Sequence, residues 1–145
     1  MWVYCFPFLQ VIKKLSPIIM TIEETFSKLS EIQDKHVPIL ISPSDQPGQK
    51  EWKGTKEVMQ GRKKVDGIFF GSIVKKPNDV RFYFFPIYTH PDSFSLSIKL
   101  KKMQKGKSCF HLKSMDNELM KELEGMIDNG VDLYRESDWV WLKIE

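Results

Sequence analysis

Cys109 and His111 stand two residues apart. On a regular strand that spacing puts both side chains on one face, where an imidazole could hold the thiol as a nucleophilic thiolate. The competing reading is an inert, packed cysteine, the commoner fate of a buried thiol. Eight aromatic residues crowd the segment just before: Phe69, Phe70, Phe82, Tyr83, Phe84, Phe85, Tyr88 and Phe94. Tyr83, Phe85 and Tyr88 are the candidates to line a ligand pocket, with Cys109 and His111 as polar groups. A core packed by helices accounts for the same aromatics without a ligand.

A third feature is the run Lys99, Lys101, Lys102, Lys105, Lys107 and Lys113, uninterrupted by any acid. Lysines on one face can displace phosphate counterions, but charge runs usually face water. Residues 80–88 lack the pattern of an RNA-recognition strand, and neither a helix-turn-helix nor a zinc finger is visible. Nucleic acid is therefore not the expected partner.

Other signatures are missing. His36, His90 and His111 fall in separate segments, with none of the spacings that place ligands around a tetrahedral metal. The chain has no phosphate-binding GxxxxGK[ST] loop, no GxGxxG and no nucleophile elbow. No catalytic residue is assigned. The expected class is a non-catalytic module binding a protein or small ligand, with an enzyme using an unrecognised site as an alternative.

The elements that must position these residues follow from periodicity. Ile22, Phe26, Leu29, Ile32 and His36 fall on one helical face that Pro38 terminates. Thr21 and Glu24 have the spacing of a capping box at its start. Residues 39–41 are a short apolar run before a loop-like Ser-Pro-Ser-Asp-Gln-Pro-Gly, and residues 50–67 read as one ragged strand or turn. Residues 68–74 and 80–88 predict two antiparallel strands joined by Lys-Lys-Pro-Asn-Asp. Aromatics of both parities in the second predict a strand covered on both faces or lining a cleft. A short helix ending at Gly106 and a strand over 108–113 follow, with Phe110 and Leu112 on one side and Cys109 and His111 on the other. Leu119, Leu123, Met126, Ile127, Val131 and Tyr134 then form the stripe of a long helix capped by Ser114 or Asp116. The tail from Asp138 alternates as a short extended segment.

Together these give a single α+β domain over residues 20–145, an antiparallel sheet packed by an N-terminal and a long C-terminal helix. Residues 1–19 are expected to stand outside it, either as an extension before a natural start at Met20 or as a membrane-surface or packing segment. Their apolar part is too short, and interrupted by Pro7, to cross a bilayer as a helix. Two distant cysteines, Cys5 and Cys109, make no disulfide framework, and a cytoplasmic location is expected. The net charge of +3 is unevenly spread: residues 51–113 hold 14 Lys+Arg against 5 Asp+Glu, residues 114–145 hold 3 against 9. The expectation is that the acidic helix rests beside the basic sheet region.

From Lys105-Gly106-Lys107-Ser108-Cys109-Phe110-His111-Leu112-Lys113 into the helix beginning Asp116-Asn117-Glu118-Leu119, the chain resembles the YdhG-like family of small bacterial domains of unknown function. The resemblance implies a compact α+β fold, frataxin-like in outline, with helices on one side of the sheet. Some members are described as iron chaperones. Iron carriage would fall here to Glu23, Glu24, Glu31 and Asp34, although Lys28 and Lys35 interrupt them.

Overall fold

A computed structural model describes residues 18–141. The expected extension therefore lies outside the described residues except for Ile18 and Ile19, which are exposed. The N–H of Met20 donates to the Met115 carbonyl at 2.7 Å, tying the start of the domain to the loop before its last helix.

Helix α1, Ile22–Asp34, begins with the expected capping box: the Glu24 N–H donates to Thr21 Oγ1 and the Thr21 N–H to Glu24 Oε1, both at 3.0 Å. Then come β1, Leu40–Gln46, and β2, Gln49–Gly54; the hairpin β3, Val58–Gln60, with β4, Lys63–Val65; and β5, Phe69–Lys75, with β6, Val80–Phe84. A turn of helix α2, Pro86–Thr89, and a 3-10 turn, Pro91–Ser93, lead to α3, Ile98–Met103. Strands β7, Gln104–Lys105, and β8, Cys109–Leu112, precede α4, Asn117–Glu136. Six strands form one antiparallel sheet in the order β1-β2-β5-β6-β8-β7, and β3-β4 stands apart as a two-stranded sheet.

Several local expectations are corrected. The stretch read as a loop after Ile41 is the outer strand β1. Pro47 and Gly48 occupy the corners of its hairpin with β2, and Gly48 at φ +76° supplies the left-handed second corner of a type II turn. The ragged segment 50–67 is three strands. Between Ile41 and Ser44 the register with β2 slips, so Ser42 and Pro43 form a bulge. Strand β6 stops at Phe84 because Pro86 has no N–H for a ladder but suits the first turn of a helix. Gly106, at φ +74°, turns the β7–β8 hairpin instead of ending α3.

Cross-strand register separates the two sheet faces. Trp52, Ile73, Val80, Phe82, Phe84, Phe110 and Leu112 point to the helices and are buried. Ser72, Arg81, Tyr83, Cys109 and His111 lie on the opposite face, half-buried except for the exposed Tyr83. The expected two-sided cover of β6 is thus not what forms: its alternate residues are core and open surface. Against the core face α4 lays Leu119, Leu123, Met126, Ile127, Val131 and Tyr134, as expected, joined by Met120 and Gly130. Phe70 meets Phe84 and Tyr134 edge-on, with centroids 5.7 and 5.2 Å apart.

Two glycines of α4 give a matched test of packing against propensity. An added Cβ at Gly125 meets nothing within 4 Å, whereas at Gly130 it would lie 2.9 Å from Phe84 Cζ and 3.0 Å from Pro86 Cγ. Both changes to Ala gain about 0.8–1 kcal/mol of helix propensity. At Gly130 crowding of a buried ring, typically about 1–3 kcal/mol, exceeds that gain. Urea unfolding should find Gly125→Ala more stable than wild type and Gly130→Ala less stable; equal stabilisation would show that Phe84 yields freely.

Candidate functional site

The residues singled out by sequence divide between two places. Tyr83 and Cys109 are direct cross-strand partners on the open face, as are Arg81 and His111. Asp79, only 5% exposed, accepts from Arg81 Nε at 2.9 Å and has its other carboxylate oxygen 3.9 Å from His111 Nδ1. His111 thus sits beside Asp79, and Cys109 beside Tyr83. Burial pushes the Cys109 thiol up from its ordinary value, against the smaller opposing effects of Tyr83 and Arg81, and so disfavours the thiolate. The same desolvation, with Cys109 next to it, raises the Tyr83 hydroxyl.

Phe85 and Tyr88 lie elsewhere, where β6 gives way to α2. Their rings stack with centroids 5.5 Å apart. Tyr88, half exposed, lies with Lys107 Nζ 5.7 Å from its centroid. Tyr88 and Lys107 line a cleft of about 860 Å³, which Phe85 does not. Ile87, Phe94 and Leu96 form an apolar wall, and Lys101, Gln104 and Lys107 a polar one. The volume falls in the range of small-molecule sites, about 300–1,000 Å³. Ser97 holds the cleft's shape by capping α3 and by donating its N–H and hydroxyl to the Glu122 carboxylate at 2.8 and 2.6 Å. Phe94 packs edge-on against Phe84, 5.3 Å between centroids, anchoring that wall to the core.

The acids that the resemblance nominates for iron do not converge. Glu23 accepts from Lys75 at 2.5 Å, Glu24 caps its own helix, and Asp34 accepts from Lys50 at 2.6 Å and from the Trp52 indole N–H at 3.0 Å. Glu31 is exposed on the α1 surface. Among the described residues no group of three or more His, Cys, Asp or Glu side chains is placed to hold a metal ion.

Charge compensation also differs from expectation. Two acids of α4 turn toward α1 and its following turn, Glu124 accepting from Lys35 at 2.5 Å and Asp128 contacting His36 at 2.9 Å, while Glu122 accepts from Ser97 and Asp132 from Arg135. The Lys35 contact lowers the Glu124 carboxyl and raises the Lys35 ammonium. Among the described residues only Lys99, 3.9 Å from the N-cap Asp116, pairs the lysine run with an acid at that helix. Lys101, Lys102, Lys105, Lys107 and Lys113 have no salt-bridge partner among the described residues.

Sequence reasoning named Tyr88 but missed the rest of the cleft. Its usable signals were the apolar Phe94 and Leu96 beside an acid-free lysine run; what hid them was the hairpin turn at Gly106, which folds Lys107 back toward Tyr88. No family model, curated protein or solved structure matches the chain.

Proposed function

We propose that the domain is a non-catalytic binding module that takes a small amphiphilic organic anion in the cleft beside Tyr88. One observation carries this reading: the apolar Ile87, Phe94 and Leu96 line one cleft together with two lysines, Lys101 and Lys107, that have no carboxylate partner among the described residues. Apolar surface favours a ligand's hydrocarbon or ring, and an unpaired ammonium beside it favours an acid group. The Tyr88 ring, stacked on Phe85, helps hold the Lys107 ammonium at the rim. Burial, which raises the Cys109 thiol and so disfavours its thiolate, supports binding over nucleophilic catalysis.

The finer identity belongs to the same proposal: a cytoplasmic bacterial protein of YdhG-like, frataxin-like fold, on the strength of residues 105–113 entering α4. Helices on one side of an antiparallel sheet agree with that outline.

Anilinonaphthalene sulfonate, a fluorescent aromatic anion, provides the test. It should bind saturably to the native protein and be displaced by decanoate. The double variant Lys101→Gln/Lys107→Gln should bind at least about tenfold more weakly, since a charge-assisted contact contributes roughly 1.5–3 kcal/mol. Cys109→Ser should bind as wild type. Unchanged affinity in the lysine variant would sink the reading.

A further inference from the structure

On the opposite side of the β7–β8 hairpin from the cleft, the open sheet face carries a second recess of about 230 Å³. Its lining is Asp79, Lys102, Met103, Lys105, His111 and Lys113. Register explains the gathering. Lys105 pairs with Cys109 and His111 with Arg81, so Lys105 and His111 share the open face, and Lys113 follows His111 by two residues. Lys102 enters from the last turn of α3.

The recess holds one acid, Asp79, and that carboxylate already accepts from Arg81 Nε at 2.9 Å. His111 Nδ1 lies 3.9 Å from the other oxygen. The ammonium groups of Lys102, Lys105 and Lys113 are left without a carboxylate among the described residues. No Asp or Glu occurs from residue 93 to 115 that could approach from neighbouring chain. Three lysine side chains line one small space, and like charges brought near each other repel, a repulsion that a compact anion of several charges relieves best. Lysine meets phosphate as a point charge and needs no planar, two-pronged geometry. The volume equals that of roughly eight liquid waters at about 30 Å³ each, enough for two or three phosphoryl groups and too little for a nucleoside besides.

We propose that this recess is a binding site for a compact polyvalent phosphate, either pyrophosphate itself or the phosphate tail of a larger small molecule. Lys102, Lys105 and Lys113 supply the charge. Asp79, held by Arg81, fixes the edge of the site beside His111. The site does not depend on the cleft reading, because the two share no lining residue.

The test is titration of the ¹⁵N-labelled full chain with pyrophosphate at constant ionic strength. Saturable shifts should concentrate at the amides of Lys105, His111 and Lys113 and at the His111 ring. Lys102→Gln/Lys105→Gln/Lys113→Gln should weaken binding at least about tenfold, as loss of charge-assisted contacts requires. Its melting temperature and its anilinonaphthalene sulfonate affinity should stay at wild-type values, showing that fold and cleft are intact. Orthophosphate should bind more weakly than pyrophosphate. Adenosine triphosphate binding more tightly than pyrophosphate would assign the site to a phosphate tail; equal or weaker binding would assign it to the free anion. No saturable shift at millimolar pyrophosphate, affinity retained by the triple variant, or saturable binding of oligothymidylate without any of pyrophosphate would each overturn the proposal.

Discussion

Trp52→Ala is expected to lower the free energy of unfolding by about 3–5 kcal/mol, the range for deleting a large aromatic side chain from a core. Trp52 is fully buried at the middle of β2, so its removal leaves a ring-sized void facing α1. A polar loss adds to the cavity. The indole N–H donates to Asp34 Oδ1 at 3.0 Å, while Lys50 donates to the other oxygen at 2.6 Å and lies 5.3 Å from the indole centroid. Lys50 is itself only 8% exposed. Trp52→Phe separates the parts, because it keeps most of the ring and drops the donor, costing about 1–2 kcal/mol more than repacking alone. Urea unfolding followed by circular dichroism measures both. A loss below about 1.5 kcal/mol for the Ala variant would mean that the sheet collapses onto the void, outside the range for such deletions.

Alkaline pH should unfold the protein through Tyr134. Burial raises this hydroxyl far above its ordinary 10.0, and its O–H donates to the Phe69 carbonyl at 2.5 Å. Above pH 10 the unfolded chain loses the Tyr134 proton while the native chain keeps it. The native state then binds more protons, so stability falls as pH rises, by up to about 1.4 kcal/mol per pH unit. Below pH 10 both states are protonated and the contribution is whole. Over two units the loss approaches about 2.7 kcal/mol, a large part of a typical domain's 5–15 kcal/mol. Tyr134→Phe gives the contrast: about 1 kcal/mol less stable at neutral pH for its missing hydrogen bond, but without that slope. The two stability curves should converge and cross above pH 10. Curves that stay parallel would remove Tyr134 as the responsible group.

Long-period features were the legible ones. The stripe from Leu119 to Tyr134 repeats over about four turns, and its partner at α1 starts with a capping box whose two residues are only three apart in the chain. Both are local facts, so the chain displays them without its tertiary neighbours. The buried face of α1 is rotated slightly from its apolar periodicity: Thr25 and Gln33 are buried, while Ile22 and Phe26 are half-buried. Strand β1 was hidden because Ser42-Pro43-Ser44 has the composition of a loop, and only pairing with β2 makes it a strand. Gly106 could equally end a helix or turn a hairpin; the register of Lys105 with Cys109 decides. The cleft was less legible still, since it joins Tyr88 to Lys107 across the chain reversals that bring β8 beside β6. Alternation did place Cys109 with His111 correctly, and Tyr83, named with them from the sequence, is the cross-strand partner of Cys109; Asp79, which comes from neighbouring chain, could not be read from alternation.

The bulge at Ser42 and Pro43 bears on crowding. A sheet's outermost strands expose unpaired N–H and C=O groups that can template another chain, the first step toward fibres. Here one border is β1, where Pro43 lacks an N–H and the bulge breaks the regular spacing a docking strand would need. The other is β7, two residues long and carrying Lys105. Neither border offers a long, flat, uncharged ladder, so molecules meeting side by side at high concentration find little to extend.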